Sequence, residues 1–566
     1  MNFNEIPYQC PDKENVIKEF ENLRDEIVQQ ALSQEALEAW FKRFNLAQNQ
    51  LNEAYYLATL RYSMDIGSEY AEELSRLEDI FQEVNPLIQE LYCLIKEIKQ
   101  MMAMQPKIYG ERVENLVKTN RSSTPELNKK ESQLIRQYQE LVARAELEFN
   151  QKTYTLSQMN QFLEDSDREV RCQASQTIES YYEAHQDQLI EIYTQLTEIR
   201  RQQAERLGYD NYAEYSFDAL DRIGYTPEHL SQFRQAVEKY IVPLGKQLVE
   251  LQQSDLNIDK VRYYDLKYKF NSGTPKFKEN TSIVKATQQM FESLFNEPVN
   301  FVEMMREDKL FDLEARKNKL SGAFSEYLPI QEIPFVFTNF YGSHLDLKIF
   351  LHELGHAFQV YHSREVDNPL LTWPTSEACE IHSITMELMS WPFLGLYFDD
   401  KDVIKYQFDY LIESIYLICY SCLIDHFQHD VAIEQLKGQE INQRWRELEL
   451  RYTPWKDYQD NPFYQKGTFW LQQHHIFTVP FYYIEYAIAQ VCAFMVWQKY
   501  ILPDSHRSIQ LVQKLYHNAG AYFFIELLER LEVSSPFQEG VIEQLSQTLK
   551  EVIEATHNSL NLNSEI

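Results

Sequence analysis

Apolar residues recur every three or four positions through the N-terminal third, a pattern that predicts amphipathic helices packed side by side. Leu134, Ile135, Tyr138, Leu141, Val142, Ala145 and Phe149 carry one such stripe. Ser166 and Glu169 have the form of a capping box ahead of Val170, Ala174 and Ile178. This third shows no recognisable chemistry and reads as scaffold or lid. Between residues 255 and 280 the pattern changes. Val261–Phe270 mixes aromatics with charges and leads into Ser272, Gly273, Thr274 and Pro275, so an extended or turn-rich entry into a new lobe is expected. Ile333–Phe340 is aromatic and β-branched, which predicts a strand. Pro334 places that strand at its start or at a sheet edge. Ile476–Trp497 is mostly apolar but holds Pro480, Glu485 and Gln490. A charge in mid-span is costly in lipid, so this run reads as a buried wall and not a membrane span.

Composition sharpens the helical reading. The 566 residues include only 14 glycines and 19 prolines, with glycine at about a third of its usual ~7%. The 37 tyrosines and 33 phenylalanines exclude a disordered acidic tail. With 54 basic and 86 acidic residues the formal net charge is −32, which argues against nucleic acid as a partner. No linker, low-complexity tract or repeat divides the chain. The seven cysteines are odd in number and scattered, which fits a reducing compartment and a cytoplasmic location. The N-terminus lacks the basic-then-apolar form of a signal peptide. Cys419 and Cys422 form a C-x-x-C inside an apolar run and read as buried thiols.

The chemistry starts directly after the predicted strand. Ser343 and Asp346 stand three apart, as at a helix start. His352 and His356 are four apart, so both imidazoles leave one helix face, the spacing of two ligands of a tetrahedral Zn²⁺. Glu353 lies about 100° around the helix, placed to take a proton from an attacking water. Gly355 allows another element to approach closely. A catalytic zinc needs a third protein ligand. Glu377, Glu380, Glu387 and His382 all compete for that role, and Ser383 lies between Glu380 and Glu387. Spacing does not choose among them. Cys379, next to Glu380, is a candidate redox switch. Further on, His474, His475, Tyr482, Tyr483 and Tyr486 cluster in an apolar run, where phenols and an imidazole are suitable donors to an oxyanion. His426 and His429 read as core or surface polar residues, while His362 and His382 flank the metal helices and either support the metal ligands or have no special role.

Together these segments resemble the M3 metallopeptidases, and within them the oligoendopeptidase F and Pz-peptidase branch. The resemblance rests on His352–His356, on Glu380 through Ser383 with Glu387, and on His475 through Tyr486. Phe340–Gly342 and Phe358–Tyr361 add to it. It implies a mostly α fold of the neurolysin-like zincin type: a two-lobed ellipsoid with a deep central channel and a small β-sheet beside the zinc helix. Residues 1–200 would cover the channel, and residues 201–566 would form the catalytic region. His352, His356 and Glu380 match the ligands of one Zn²⁺ per chain, with Ser383 and Glu387 supporting them from behind. Glu353 matches the general base acting on a zinc-bound water. His475, Tyr483 and Tyr486 match the donors around the scissile carbonyl, and Tyr482 is able to take one of those roles. Phe340, Tyr341 and Gly342 would touch substrate, and the strand 335–341 would pair with a bound peptide. The implied activity is cleavage of internal bonds in short unstructured peptides, with no nucleic acid, membrane or obligatory protein partner.

Overall fold

The computed structural model describes residues 2–29, 33–295, 300–459, 461–503, 511–517 and 519–564. Helices dominate. The helices α1 (Lys13–Gln29), α2 (Gln34–Met64), α3 (Tyr70–Glu97) and α4 (Lys107–Lys118) share a core of their own around Trp40, Phe44, Leu77, Val84 and Tyr92. A second, larger core begins with α5 (Pro125–Ala143), α6 (Arg168–Ala184) and α7 (Gln186–Arg206) and runs through the rest of the chain.

Two local expectations fail in this region. The stripe toward Phe149 does not stay helical, because α5 ends at Ala143. Leu147–Phe149 is a strand, β1, paired antiparallel with β2 (Lys152–Tyr154). Asn150 and Gln151 between them both take positive φ, 48° and 65°, the two-residue turn that matches hairpin twist. Nor does Ser166 form a capping box with Glu169. The helix starts one residue later, and the Asp167 carboxylate accepts the Glu169 N–H at 2.9 Å. The segment 257–282 is irregular, as its composition predicts.

Three strands then form one small sheet: β3 (Phe311–Glu314), β4 (Phe324–Leu328) and β5 (Ile333–Phe340), in the order β3-β5-β4. The predicted strand β5 is therefore central. It runs parallel to β3 and antiparallel to β4. The edge reading of Pro334 is corrected: the proline sits at the strand start, facing the side that β3 has not yet reached. Val336, two residues on, is where that side is first used, its N–H donating to the Leu310 carbonyl at 3.0 Å. The missing proline N–H thus costs no ladder bond. Both sides of β5 are taken up to Phe337, so the expected pairing of 335–341 with a peptide backbone is narrowed to the end of the strand, where β4 no longer runs alongside.

The strand β5 leads directly into α8 (Leu345–Tyr361), which lies on the sheet and against α9 (Ser376–Met389). The long α10 (Asp400–Glu434), then α11 (Ile484–Val496) and α12 (Val541–Ser564), complete the body. The second part of the apolar run is α11, with every residue from Ala487 to Val496 buried. No helix among the described residues is long and apolar enough to cross a membrane.

The α8–α9 contact closes on Gly355. A Cβ there would meet the Ser383 Cα at 2.7 Å and the His382 carbonyl oxygen at 2.8 Å. Both are backbone and cannot step aside. Gly355→Ala is expected to lose about 1–3 kcal/mol as the two helices are forced apart. Equilibrium urea unfolding measures this, and an unchanged midpoint would show that the helices have room to spare.

Candidate active site

The helix α8 is buried on its sheet side and carries His352 and His356 one turn apart, their ring centroids 5.0 Å from each other. Glu380 reaches them from α9. Its Oε2 lies 3.3 Å from His352 Nε2 and 3.8 Å from His356 Nε2. One ligating atom from each of the three falls within 4.8 Å of the others. Tetrahedral ligands ~2.1 Å from a zinc ion stand about 3.4 Å apart, so this donor set has the size and chemistry of a three-ligand metal site. Among the three carboxylates that spacing left open, the structure brings Glu380 to the histidines. Glu387, two turns further along α9, accepts from His352 Nδ1 at 2.7 Å. That contact fixes the tautomer, leaving Nε2 free to point at the cluster. Ser383 Oγ donates to Glu380, 3.2 Å from Oε2 and 3.0 Å from its carbonyl. Glu377 is turned away. It is fully buried, neither of its oxygens is hydrogen-bonded, and burial pushes its carboxyl well above the usual range.

Electrostatics separate the two histidines: against burial, the carboxylates of Glu380 and Glu387 hold the His352 pKa well above its ordinary value. Burial drives the His356 pKa down to about 3, so its imidazole is neutral. For Glu380, burial opposes ionisation, but the two histidines and the Tyr482 hydroxyl prevail and bring it to about 2. Glu353, 7% exposed beside this cluster, is raised by burial to about 7. That places a proton-exchanging carboxyl near neutrality at the site.

The histidine–tyrosine segment faces the same cluster. Tyr482 donates its hydroxyl to Glu380 Oε1 at 3.0 Å. Tyr483 and Tyr486 instead group with His475, at ring centroid distances of 4.7 and 6.3 Å. Of the three tyrosines, then, the structure gives Tyr482 the carboxylate and leaves the other two beside the imidazole. Burial lowers the His475 pKa to about 4, and the Gln473 side-chain amide donates to its Nδ1 at 3.1 Å, so the remaining proton sits on Nε2. A cleft of about 500 Å³ opens beside Tyr482, lined also by Tyr212, Tyr215, Leu220 and Val479.

Phe340, Tyr341 and Gly342 contact the start of α8. The Phe340 ring lies 6.0 Å from Phe350, and Tyr341 is 78% exposed. The Asp346 carboxylate accepts three backbone N–H groups, from Tyr341 (3.0 Å), Gly342 (2.6 Å) and Ser343 (3.2 Å). The sequence reading paired Ser343 with Asp346 at a helix start but missed this inverted role. An acidic residue in a first helical turn, four after a glycine, was the available signal.

The other singled-out residues are structural. Cys419 and Cys422 are buried in α10. Cys379 leans on the Pro374 carbonyl, 3.5 Å away, and burial pushes its thiol well up, which argues against a reactive thiolate. His382 bonds the Leu515 carbonyl at 2.8 Å, His429 the Asp425 carbonyl at 2.8 Å and His426 the Tyr452 hydroxyl at 3.1 Å. The His362 ring packs on Phe358.

Comparison with known proteins agrees with this geometry. Residues 161–546 match the model of peptidase family M3, and residues 3–104 match the M3 peptidase N-terminal domain. The fold is similar to Pz peptidase A, solved with an inhibitor: 32% identity, 98% of this chain and 99% of that one, TM-score 0.89. It is also similar to a Bacillus anthracis strain Ames protein provisionally assigned as an oligoendopeptidase F, at 29% identity over 98% of each chain and TM-score 0.83. An Enterococcus faecium oligoendopeptidase F shares the fold at 17% identity over 97% of each chain, with TM-score 0.64. No curated protein sequence matches. The chain belongs to peptidase family M3 and is a metalloendopeptidase of the oligoendopeptidase F and Pz-peptidase branch.

Asp346→Ala is expected to cost about 1.5–3 kcal/mol, the scale of hydrogen bonds to a charged acceptor. It should also speed amide exchange at Tyr341, Gly342 and Ser343. Unchanged exchange at those three amides would mean that the carboxylate does not hold the turn.

Proposed function

We propose that this enzyme holds one Zn²⁺ through His352, His356 and Glu380 and hydrolyses internal bonds of short unstructured peptides, with Glu353 as general base. The observation that carries the reading is the pairing of three convergent donors with Glu387 on the far nitrogen of His352. A structural zinc would need a fourth protein ligand, whereas three donors leave a position open. When bound, zinc supplies Lewis acidity to the scissile carbonyl and to water.

The remaining work falls to side chains of the chain itself. Glu353 takes a proton from the attacking water and passes it to the departing amine, a role suited to a carboxyl raised to about 7. His475 through its Nε2–H, with Tyr483 and Tyr486 beside it, would donate to the oxygen that gains negative charge, a role its grouping with the two phenols supports. Tyr482 orients Glu380. Phe340, Tyr341 and Gly342 remain candidate substrate contacts at the start of α8. The peptide backbone is expected along the end of β5, residues 338–341, where β4 no longer pairs with it. The cleft beside Tyr482 suits one of the peptide's side chains. Free cysteines fit a cytoplasmic enzyme, and the reading needs no nucleic acid, membrane or obligatory protein partner.

Glu353→Gln should lower peptide hydrolysis about 10²–10⁴-fold while zinc stays near one per chain by metal analysis. Normal turnover would remove Glu353 from the mechanism. Glu380→Ala should lose the metal and Glu377→Ala should keep it; the reverse would reassign the third ligand. Glu387→Ala should weaken zinc binding or activity about 10–100-fold in a chelator competition assay. Cleavage of peptides blocked at both ends, abolished by chelator and restored by zinc, tests the endopeptidase reading directly.

A further inference from the structure

The segment carrying His475 and the tyrosines has little regular structure of its own. Its helix His474–Thr478 has five residues, too few to satisfy its carbonyls internally. Arg200, from α7, supplies donors instead: Nη1 to the Ile476 carbonyl at 2.9 Å and Nη2 to that of Phe477 at 2.6 Å. Further on, Phe481 holds φ at 65°, a left-handed conformation that side chains disfavour and that persists only when surroundings enforce it. Its N–H donates to Gln428 Oε1 at 3.2 Å, its carbonyl accepts from Arg222 Nη2 at 2.7 Å, and its ring is buried with Tyr212 and Tyr215. The same Arg222 donates from Nε to Glu485 Oε1 at 2.7 Å. Both partners are buried, Arg222 at 3% exposure and Glu485 at 0%. One guanidinium thus bridges the two ends of the stretch 481–485, and Tyr482 and Tyr483 lie between those ends.

We propose that Arg222 is a positioning residue for the peptidase reaction. By clamping Phe481 and Glu485 it keeps the Tyr482 hydroxyl on Glu380 and Tyr483 against His475. The proposal rests on the functional reading above. The planar fork matters as well as the charge: a lysine ammonium is a single point and cannot serve both acceptors in this geometry. An ion pair that merely stabilised the fold would be replaceable by a neutral pair of similar volume.

The test uses the full-length, zinc-loaded enzyme with a blocked fluorogenic peptide, and follows kcat, KM, zinc content and Tm. Arg222→Lys keeps the charge opposite Glu485, and Arg222→Met/Glu485→Met removes both charges together. Both variants should lose about tenfold or more in kcat, the scale of losing a group that orients a metal ligand, with KM within about twofold. Zinc should stay near one per chain. If the lysine variant does not fold, the double variant decides. Wild-type kcat in a folded variant overturns the proposal. A second arm measures coupling. In a Tyr482→Phe background, Arg222→Lys should cost less than it does alone, because the clamp acts through that hydroxyl; strictly additive losses also overturn it. Glu353→Gln is assayed in parallel. Undiminished turnover there sinks the functional reading, whereas a clean loss there with wild-type kcat in the Arg222 variants sinks only the clamp.

Discussion

The absence of a side chain at Gly355 allows α8 and α9 to touch through backbone, with Ser383 and His382 where a Cβ would stand. The rest of the active site depends on that distance. A glutamate side chain is short, and Glu380 reaches both His352 and His356 only because its helix lies so close. The same approach puts Glu387 on the far side of the His352 ring, while Ser383 supports Glu380 from within α9. The contacts that Glu380 and Glu387, seven positions apart along α9, make with α8 thus follow from one small residue. Packed helices cannot adjust continuously, so the donor geometry is inherited from the crossing itself.

Much of this was legible in the sequence because it is periodic or local. Two histidines four apart share a face in any helix, and β5 reads as a strand because its residues are aromatic and β-branched. The failures are of another kind. Phe149 fits a helical stripe, but Asn150 and Gln151 favour a tight turn, and local turn chemistry wins over the stripe. Pro334 marks a strand start or an edge; which one depends on where β3 lies, and that is long-range. Glu377, Glu380 and Glu387 were indistinguishable by spacing. The choice is made by the direction in which α9 faces α8, which no property of α9 alone encodes. Tyr482 and its neighbours were ambiguous for the same reason: the positive φ at Phe481 redirects the chain just ahead of them.

Arg200 and Arg222 carry no signal in the sequence, because a buried arginine resembles any surface one there. Arg200 and Arg222 lie more than 250 residues before the carbonyls they serve. A segment with a five-residue helix and a left-handed phenylalanine must obtain its hydrogen bonds from outside. A long donor with a rigid fork, carried on a separate well-packed body, does this with one side chain. Residues near 200 and 222 therefore act on the site through its backbone, although they touch none of its reacting groups.

The charges around α9 also have a direction. Glu353, Glu377, Glu380, Glu387 and Glu485 are all below 9% exposure, and Arg222 is the guanidinium that pairs directly with one of them. Unpaired charges are not stable in such an interior, and the groups respond differently. Glu377 and Glu353 are pushed toward the neutral form by burial. Glu380 remains anionic because it faces imidazoles and a phenol. The histidine facing it across the site, His356, is held neutral with a lone pair available. An anionic oxygen and two imidazole nitrogens converging at 3.3–3.8 Å in a buried site form an environment that a divalent cation completes. The overall charge of −32 carries no such information. What matters for the chemistry is the small set of carboxylates that folding withdraws from water, and which of them it leaves ionised.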